Sequence, residues 1–298
     1  MWQQLLKDLE AGNIKALARS ISLVENQQDG YEDLLQSLKV PEKSKIIGIT
    51  GPPGAGKSTL TDTLIEKLVD KKHKVAVLCV DPSSPFNLGA VLGDRIRMSQ
   101  WYTHPDVYIR SLATRGSMGG LNPSIIEIAE LTKAAGYHYV IVETVGVGQS
   151  EIEIAGLADV TVVVVVPEAG DEVQTMKAGL MEIADIFVVN KADRPDADSF
   201  VKNLRLMLAP AFHKSSHEIP VLKTIASQKQ GMDELVKAIE YHLEHYLLNE
   251  RKHWLLAEKV FFLIQQRRMK NISKEKIRDE IGKAEDFNLY RFLDKYSS

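Results

Sequence analysis

Residues 51–59 read Gly-Pro-Pro-Gly-Ala-Gly-Lys-Ser-Thr, the complete pattern of a phosphate-binding P-loop. A strand-like run, 45–50, enters this stretch and a helix-like run, 60–65, leaves it, which is the setting that the motif requires. Glycines let the backbone wrap around a phosphate chain, so we expect Lys57 to reach the β- and γ-phosphates of a nucleoside triphosphate. We expect the Ser58 hydroxyl to ligate Mg²⁺. The predicted nucleotide-binding residues of this loop are Gly51, Pro52, Pro53, Gly54, Ala55, Gly56, Lys57, Ser58 and Thr59.

The composition argues against several classes of protein. The formal net charge of −3 gives the 298 residues no general attraction to nucleic acid or to an anionic membrane. Cys79 is the only cysteine, which excludes an intramolecular disulfide and a thiolate zinc cluster and fits a reducing compartment. The N-terminus resembles neither a signal nor a transit peptide, and the most apolar run, 160–166, is too short to span a bilayer. We therefore expect a cytoplasmic protein with no nucleic-acid or membrane partner.

The chain divides into three predicted parts: an N-terminal helical extension (1–40), a P-loop domain (41–248) and a C-terminal helical arm (249–298). Apolar residues of the first part recur at helical spacing in two helices, and Asn13 is a plausible N-cap for the second. The last part carries both charge signs and is too apolar for a solvent-exposed helix. A helix folded back on the core and a dimerisation arm both fit this pattern.

The middle part alternates strand-like and helix-like segments. Most of its strands are continuous apolar runs, which is typical of parallel strands buried on both faces. We therefore predict an α/β fold with a doubly wound, mainly parallel sheet and a ligand at the carboxyl ends of its strands. The predicted strands are 45–50, 74–80, 107–110, 139–142, 160–166, 186–190 and 221–224, with helices that include 122–135 and 197–208.

A second motif, Asn190-Lys191-Ala192-Asp193, follows the apolar run 186–189. In a P-loop fold this is the guanine-reading position, where the Asp193 carboxylate can accept from N1–H and the exocyclic amine. Adenine offers neither donor, so a site built in this way discriminates against it. Asn190 would brace the loop, the stem of Lys191 would cover the base, and the Ala226 N–H is a weaker candidate to contact guanine O6.

Three acidic residues end strands or lie in loops near the predicted phosphate site: Asp81, Asp94 and Glu143. Phosphoryl transfer needs Mg²⁺, which prefers carboxylate oxygens, so with Ser58 they form the predicted metal set. The N–H of Gly146 could reach the γ-phosphate and make 144–149 a nucleotide-sensing switch. No arginine is an obvious finger in cis, so turnover should be slow and stimulated by a partner. The residues predicted to be catalytic are Lys57, Asp94 and Glu143.

These motifs together resemble the MeaB/ArgK-type GTPases, the G-protein chaperones of methylmalonyl-CoA mutase. The resemblance runs from about residue 17 to about 235, and 143–151 and 113–120 are its most specific stretches. It implies GTP hydrolysis to GDP with Mg²⁺, and a complex with an adenosylcobalamin-dependent acyl-CoA mutase whose cofactor loading and repair the GTPase gates. The cobalamin would then be bound by the mutase and not by this chain. The resemblance also implies a signalling loop at 167–177 and a homodimer formed through the C-terminal arm.

Two departures and two alternatives stay open. The region after Asn249 matches the family weakly. The family usually has a serine where this chain has Ile225, so the O6 contact rests on the Ala226 backbone. A nickel-insertion metallochaperone GTPase would need a metal-binding segment, and only the pairs His213/His217 and His242/His245 have ligand-like spacing. A non-hydrolysing adaptor that binds nucleotide only to set its shape is the second alternative, and the intact carboxylate set argues against it.

Overall fold

The chain forms two compact units, Met1–Lys252 and His253–Ser298. Within the described residues, no helix combines the length and the apolar character needed to cross a bilayer. The structure, a computed structural model, describes residues 2–81, 98–114, 121–144, 150–167, 178–212, 219–245, 250–268, 272–284 and 287–296.

The first unit is built on a seven-stranded sheet in the order β3-β2-β4-β1-β5-β6-β7, and all of its strand pairs are parallel. This confirms the predicted doubly wound α/β fold. Strand β1, which leads into residues 51–59, lies at the centre between β4 and β5, so the P-loop opens at the middle of the carboxyl edge. The strands are β1 (Lys45–Thr50), β2 (Val75–Asp81), β3 (Val107–Ala113), β4 (Tyr139–Glu143), β5 (Val160–Val165), β6 (Ile186–Val189) and β7 (Val221–Lys223).

The predicted strand bounds agree with the structure to within one residue except at β3. That strand continues to Ala113, three residues beyond the prediction, because it pairs with β2 as far as Asp81. Asn190, predicted to end the sixth strand, follows β6 instead, and its backbone begins the loop that contains Asp193.

Two apolar clusters cover the two faces of the sheet. Successive side chains of a strand point to opposite faces, and β5 shows this directly. Val162 and Val164 join a cluster with helices α4 (Lys57–Asp70) and α9 (Met232–His245), whereas Val163 and Val165 join the other. The remaining helices of this unit are α1 (Trp2–Glu10), α2 (Ile14–Glu25), α3 (Tyr31–Gln36), α5 (Ile125–Ala134), α6 (Ser150–Leu157), α7 (Ala178–Ile183) and α8 (Ala197–Phe212).

The N-terminal extension contains three helices, one more than predicted. Asn13 caps α2 as expected, since its side-chain oxygen accepts from the N–H groups of Lys15 and Ala16 at 2.9 and 3.1 Å. The short helix α3 was missed because its six residues hold too little periodicity to reveal it. Cys79 is buried in β2, as predicted for a structural thiol.

The second unit is helical, as the sequence predicts. Its helices are α10 (Glu250–Arg268), which belongs to this unit from His253 onward, α11 (Lys274–Gly282) and α12 (Leu289–Asp294). Large apolar side chains of α10 are exposed in the structure, among them Trp254 at 74% and Phe261 at 62%.

Candidate nucleotide-binding site

The loop between β1 and α4 has a backbone that only glycine tolerates at two of its positions. Gly51 has φ +135° and Gly56 has φ +88°, both in the left-handed range. A Cβ atom would collide with the Val164 carbonyl oxygen at the first position and with the Asn190 side-chain amide at the second. The loop is therefore folded tightly against β5 and against the Asn190–Asp193 motif.

Lys57, at the start of α4, points back into this loop and is 6% exposed. Its Nζ atom donates to the carbonyl oxygens of Gly51 and Pro52 at 2.8 and 3.1 Å. A buried ammonium group held by carbonyls at the N-terminus of a helix provides a positive charge where a phosphate chain would lie. This is the place at which the sequence predicts contact with the β- and γ-phosphates.

Glu143, the last residue of β4, is held by two hydroxyl groups of α4. Ser58 Oγ donates to Oε1 at 2.7 Å and Thr61 Oγ1 donates to Oε2 at 2.8 Å, and all three side chains are buried. The structure thus brings together two of the four residues predicted to bind the metal. Thr61 was missed by the sequence analysis, although its position three residues after Ser58 puts it on the same side of the helix.

The chemistry of this oxygen set fits Mg²⁺. A hydroxyl and a carboxylate oxygen beside a phosphate-binding loop are hard ligands, which a magnesium ion prefers together with phosphate and water oxygens. Asp81 ends β2 at the same edge of the sheet, but its side chain is not described. Asp94 and Gly146 lie outside the described residues, so their predicted roles stay predictions.

A side-chain hydrogen bond links the end of β1, which leads into the P-loop, to the residue that follows β4. Thr50, the last residue of β1, lies before the P-loop, and Thr144 follows Glu143. Their Oγ1 atoms are 2.9 Å apart, and both side chains are almost fully buried. This hydrogen bond holds the entry to the P-loop beside the start of the predicted 144–149 switch, of which only Thr144 is described.

Asn190 connects the phosphate loop to the predicted guanine-reading loops. Its Nδ2 donates to the Ala55 carbonyl at 2.9 Å, while its Oδ1 accepts from Thr224 Oγ1 and from the Ala226 N–H, each at 3.1 Å. Lys191, at φ +55°, donates from Nζ to the Gly54 carbonyl at 2.8 Å. The predicted bracing role of Asn190 therefore agrees with its contacts.

The other residues predicted to recognise guanine, Asp193 and Ala226, lie near Asn190. Asp193 is exposed in the turn that follows Lys191, where a base could reach its carboxylate. The Ala226 N–H already donates to Asn190, so a contact to guanine O6 would require this N–H to be shared. Ile225 is held in a turn by backbone hydrogen bonds to Gln230 at 3.1 and 3.3 Å.

The histidine pairs give the nickel alternative little support. His242 Nε2 lies 3.8 Å from an oxygen of Asp185. The His245 ring stacks on the Tyr241 ring with their centroids 4.2 Å apart, so the two imidazoles contact different residues. His213 and His217 lie outside the described residues. In the part of the chain that the structure describes, no three His, Cys, Asp or Glu residues form a group that could hold a metal. Of the predicted signalling loop, 167–177, only Pro167 is described.

The chain is similar to known proteins in sequence and in fold. A putative GTPase of Pyrococcus abyssi is 42% identical over 285 residues, which cover 94% of this chain and 83% of that protein. A fused isobutyryl-CoA mutase of Geobacillus kaustophilus is 38% identical over 237 residues, or 75% of this chain and 22% of that protein. The crystal structure of a LAO/AO transport system kinase superposes with a TM-score of 0.70 at 27% identity, covering 99% of this chain and 96% of that one.

The comparison with protein families extends over most of the chain. The sequence model described as methylmalonyl-CoA mutase-associated GTPase MeaB matches residues 17–281. The match includes the P-loop, Glu143 and the Asn190–Asp193 motif, the parts that the structure brings to one edge of the sheet. The chain therefore belongs to the MeaB family of methylmalonyl-CoA mutase-associated GTPases.

Proposed function

We propose that this chain is a slow, partner-stimulated GTPase whose cycle gates adenosylcobalamin loading, protection and reactivation of an acyl-CoA mutase. The observation that supports GTP hydrolysis is the buried Glu143 carboxylate. Its Oε1 atom lies 2.7 Å from the Oγ atom of Ser58 in the P-loop. A carboxylate in this place serves phosphoryl transfer, whereas a loop that only binds phosphate has no need of it. The family of the chain supports GTP as the substrate.

In the proposed mechanism, Lys57 stabilises the charge that develops on the transferred phosphoryl group. Ser58 and Glu143, with Asp81 and Asp94, would hold Mg²⁺ and orient the attacking water. When bound, Mg²⁺ neutralises phosphate charge and supplies Lewis-acid stabilisation. Asn190 contacts both the P-loop and the turn at Ala226, so a GTP whose guanine binds at Asp193 would place its phosphates near Lys57. Gly146 senses the γ-phosphate.

The proposed partner is an adenosylcobalamin-dependent mutase of the methylmalonyl-CoA or isobutyryl-CoA type. The match to part of a fused isobutyryl-CoA mutase supports this class of partner. We propose that the mutase, not this chain, holds the cobalamin, that the residues 167–177 carry the signal, and that the complex is cytoplasmic. The exposed apolar side chains of α10 support a homodimer formed through the arm.

The test is phosphate release by the purified chain with GTP or ATP, alone and with the purified mutase. We expect slow release from GTP, faster release with the mutase, and none above background from ATP. The Lys57→Ala variant is the negative control. Equal hydrolysis of ATP would contradict the guanine site, and no phosphate release in either condition would favour the non-hydrolysing adaptor.

A further inference from the structure

Three consecutive residues of α4 contact three different parts of the first unit. Thr61 Oγ1 donates to Glu143 Oε2 at 2.8 Å, and Thr63 Oγ1 lies 3.1 Å from the Ala226 carbonyl oxygen. Between them, an Asp62 carboxylate oxygen accepts from Trp101 Nε1 at 2.7 Å. Successive residues of a helix point about 100° apart, so each side chain faces a different neighbour. The second turn of α4 thus contacts both Glu143, at the end of β4, and the turn at Ala226, which is predicted to contact guanine.

The two threonines are buried, at 0% and 4% exposure, so each hydroxyl needs a hydrogen-bond partner within the protein. A buried helical threonine usually bonds the carbonyl one turn earlier, as Thr132 of α5 does with Ile128 at 2.7 Å. The single hydroxyl proton of Thr63 is shared between the Thr59 carbonyl, one turn earlier, and the Ala226 carbonyl, each 3.1 Å away. Thr61 reaches across to β4 instead. Both hydroxyls therefore act on elements outside their own helix.

We propose that Thr61 and Thr63 are positioning residues with separate tasks, one for the metal-site carboxylate and one for the base-reading turn. The proposal rests on the function proposed above. Thr61 orients Glu143 by holding Oε2, which leaves Oε1 facing Ser58. Ser58 contacts only Oε1, so the position of the second carboxylate oxygen depends on Thr61.

The task of Thr63 follows from the position of Ala226. The Ala226 N–H is the group predicted to contact guanine O6, and its position depends on the turn that carries it. Thr63 holds that turn by its carbonyl while Asn190 holds it by its N–H. Loss of the Thr63 hydroxyl would let the Ala226 N–H move away from O6 without disturbing Asp193, which lies on another loop.

The experiment compares Thr61→Val and Thr63→Val, in which an isosteric methyl replaces the hydroxyl, with Thr132→Val as the matched buried control. The first measurement is the Mg²⁺ concentration that half-maximally retains N-methylanthraniloyl-GDP. We expect Thr61→Val to raise this concentration about tenfold, as for a lost hydrogen bond to a charged group. Thr63→Val and Thr132→Val should leave it unchanged.

The second measurement is the preference for GDP over 6-thioguanosine diphosphate, in which sulfur replaces O6 but N1–H and the 2-amino group remain. We expect Thr63→Val to lower this preference about three- to tenfold, as for one neutral hydrogen bond. Thr61→Val and Thr132→Val should not change it. Thr61→Ser and Thr63→Ser keep the hydroxyl and should restore the wild-type values in both measurements.

The outcomes separate the positioning roles from the function on which they rest. Valine variants that match wild type, or that shift both measurements together, would overturn the positioning roles alone. A wild-type chain that retains the labelled GDP regardless of Mg²⁺, or that does not prefer GDP to ADP, would overturn the proposed function and the positioning roles with it.

Discussion

Ser58 Oγ donates a 2.7 Å hydrogen bond to Glu143 Oε1 across 85 positions of sequence. The first residue belongs to the helix that follows the P-loop, and the second ends a neighbouring strand of the same sheet. Both side chains are buried, so the bond is shielded from water and its geometry is determined by the fold. Five experiments test this site and other parts of the chain.

The first concerns the charge of Glu143. Glu143→Gln keeps the shape of the side chain but removes the negative charge that the metal and the attacking water require. We expect phosphate release from GTP to fall at least about 100-fold, the size of effect seen when one preorganised electrostatic group is lost. Release is measured in single-turnover reactions with excess Mg²⁺. Glu130→Gln, which neutralises a glutamate paired with Lys133 on α5, is the control and should keep wild-type turnover.

The second concerns the base. Asp193→Asn should weaken GTP binding about 100- to 1,000-fold, because a carboxylate that accepts two hydrogen bonds is replaced by an amide with one donor group. Xanthosine triphosphate, which carries an oxygen in place of the 2-amino group, should bind the variant better than it binds wild type. Competition against labelled GDP measures both affinities. Asp198→Asn serves as the control, and an Asp193 variant with unchanged GTP affinity would contradict the guanine assignment.

The third prediction compares two glycines that have nearly the same φ angle. Gly56 and Gly136 have φ of +88° and +87°, but an added Cβ meets Asn190 at the first and nothing within 4 Å at the second. Gly136→Ala should lower the free energy of unfolding by about 1–2 kcal/mol, the strain of left-handed backbone alone. Gly56→Ala should lower it further and also weaken nucleotide binding. Urea denaturation and GDP titration separate the two effects.

The fourth concerns the arm. Phe261→Arg places a charge on a large apolar side chain of α10 that is 62% exposed. If α10 forms the dimer, the charge must be buried without a partner on association, and the variant should be monomeric. Light scattering after size-exclusion chromatography gives the mass of each species. Leu206→Arg changes an equally exposed residue of α8, at 63%, and should leave the mass unchanged.

The fifth concerns pH. Burial, followed by the charge of His138, lowers the pKa of His73 from its usual 6.5, and Lys71 acts in the same direction while Glu240 opposes it. The unfolded chain therefore binds this proton at a higher pH than the folded chain does. The contribution of neutral His73 to stability is full above about pH 6.5 and is lost as the pH falls toward the lowered pKa.

Urea denaturation at pH 7.5 and 5.5 tests this contribution of His73. The free energy of unfolding should fall less between these values in His73→Gln than in wild type, because the variant has no imidazole at this position. Equal pH dependence in the two proteins would show that protonation of His73 is not linked to folding.

The parts of the site that could be predicted from sequence are those encoded by adjacent residues. The P-loop residues and the Asn190–Asp193 motif carry their own spacing, and apolar runs before them indicate the strands that bring them to one edge. The bounds of β1 were predicted correctly because a continuous apolar run ends at a glycine-rich loop. The N-cap at Asn13 was predictable for the same local reason.

The features that sequence reasoning missed depend on tertiary contacts. Whether Thr61 faces Glu143 depends on how α4 is rotated over the sheet, which no local pattern records. The extra residues of β3 exist because β2 offers partners up to Asp81. The hydrogen bond from the Ala226 N–H to Asn190 likewise requires Asn190 and the 226–228 turn to be placed together, although they are far apart along the chain.

The strand order has a consequence for synthesis on the ribosome. β1 is made first, yet its neighbours in the sheet are β4 and β5, and the Thr144 partner of Thr50 comes 94 residues later. β2 and β3 can pair as soon as both have emerged, but β1 must wait, since long-range pairings close last. A nascent chain that stops short of β4 therefore carries a complete P-loop sequence without the strand pairing or the carboxylate that complete the site.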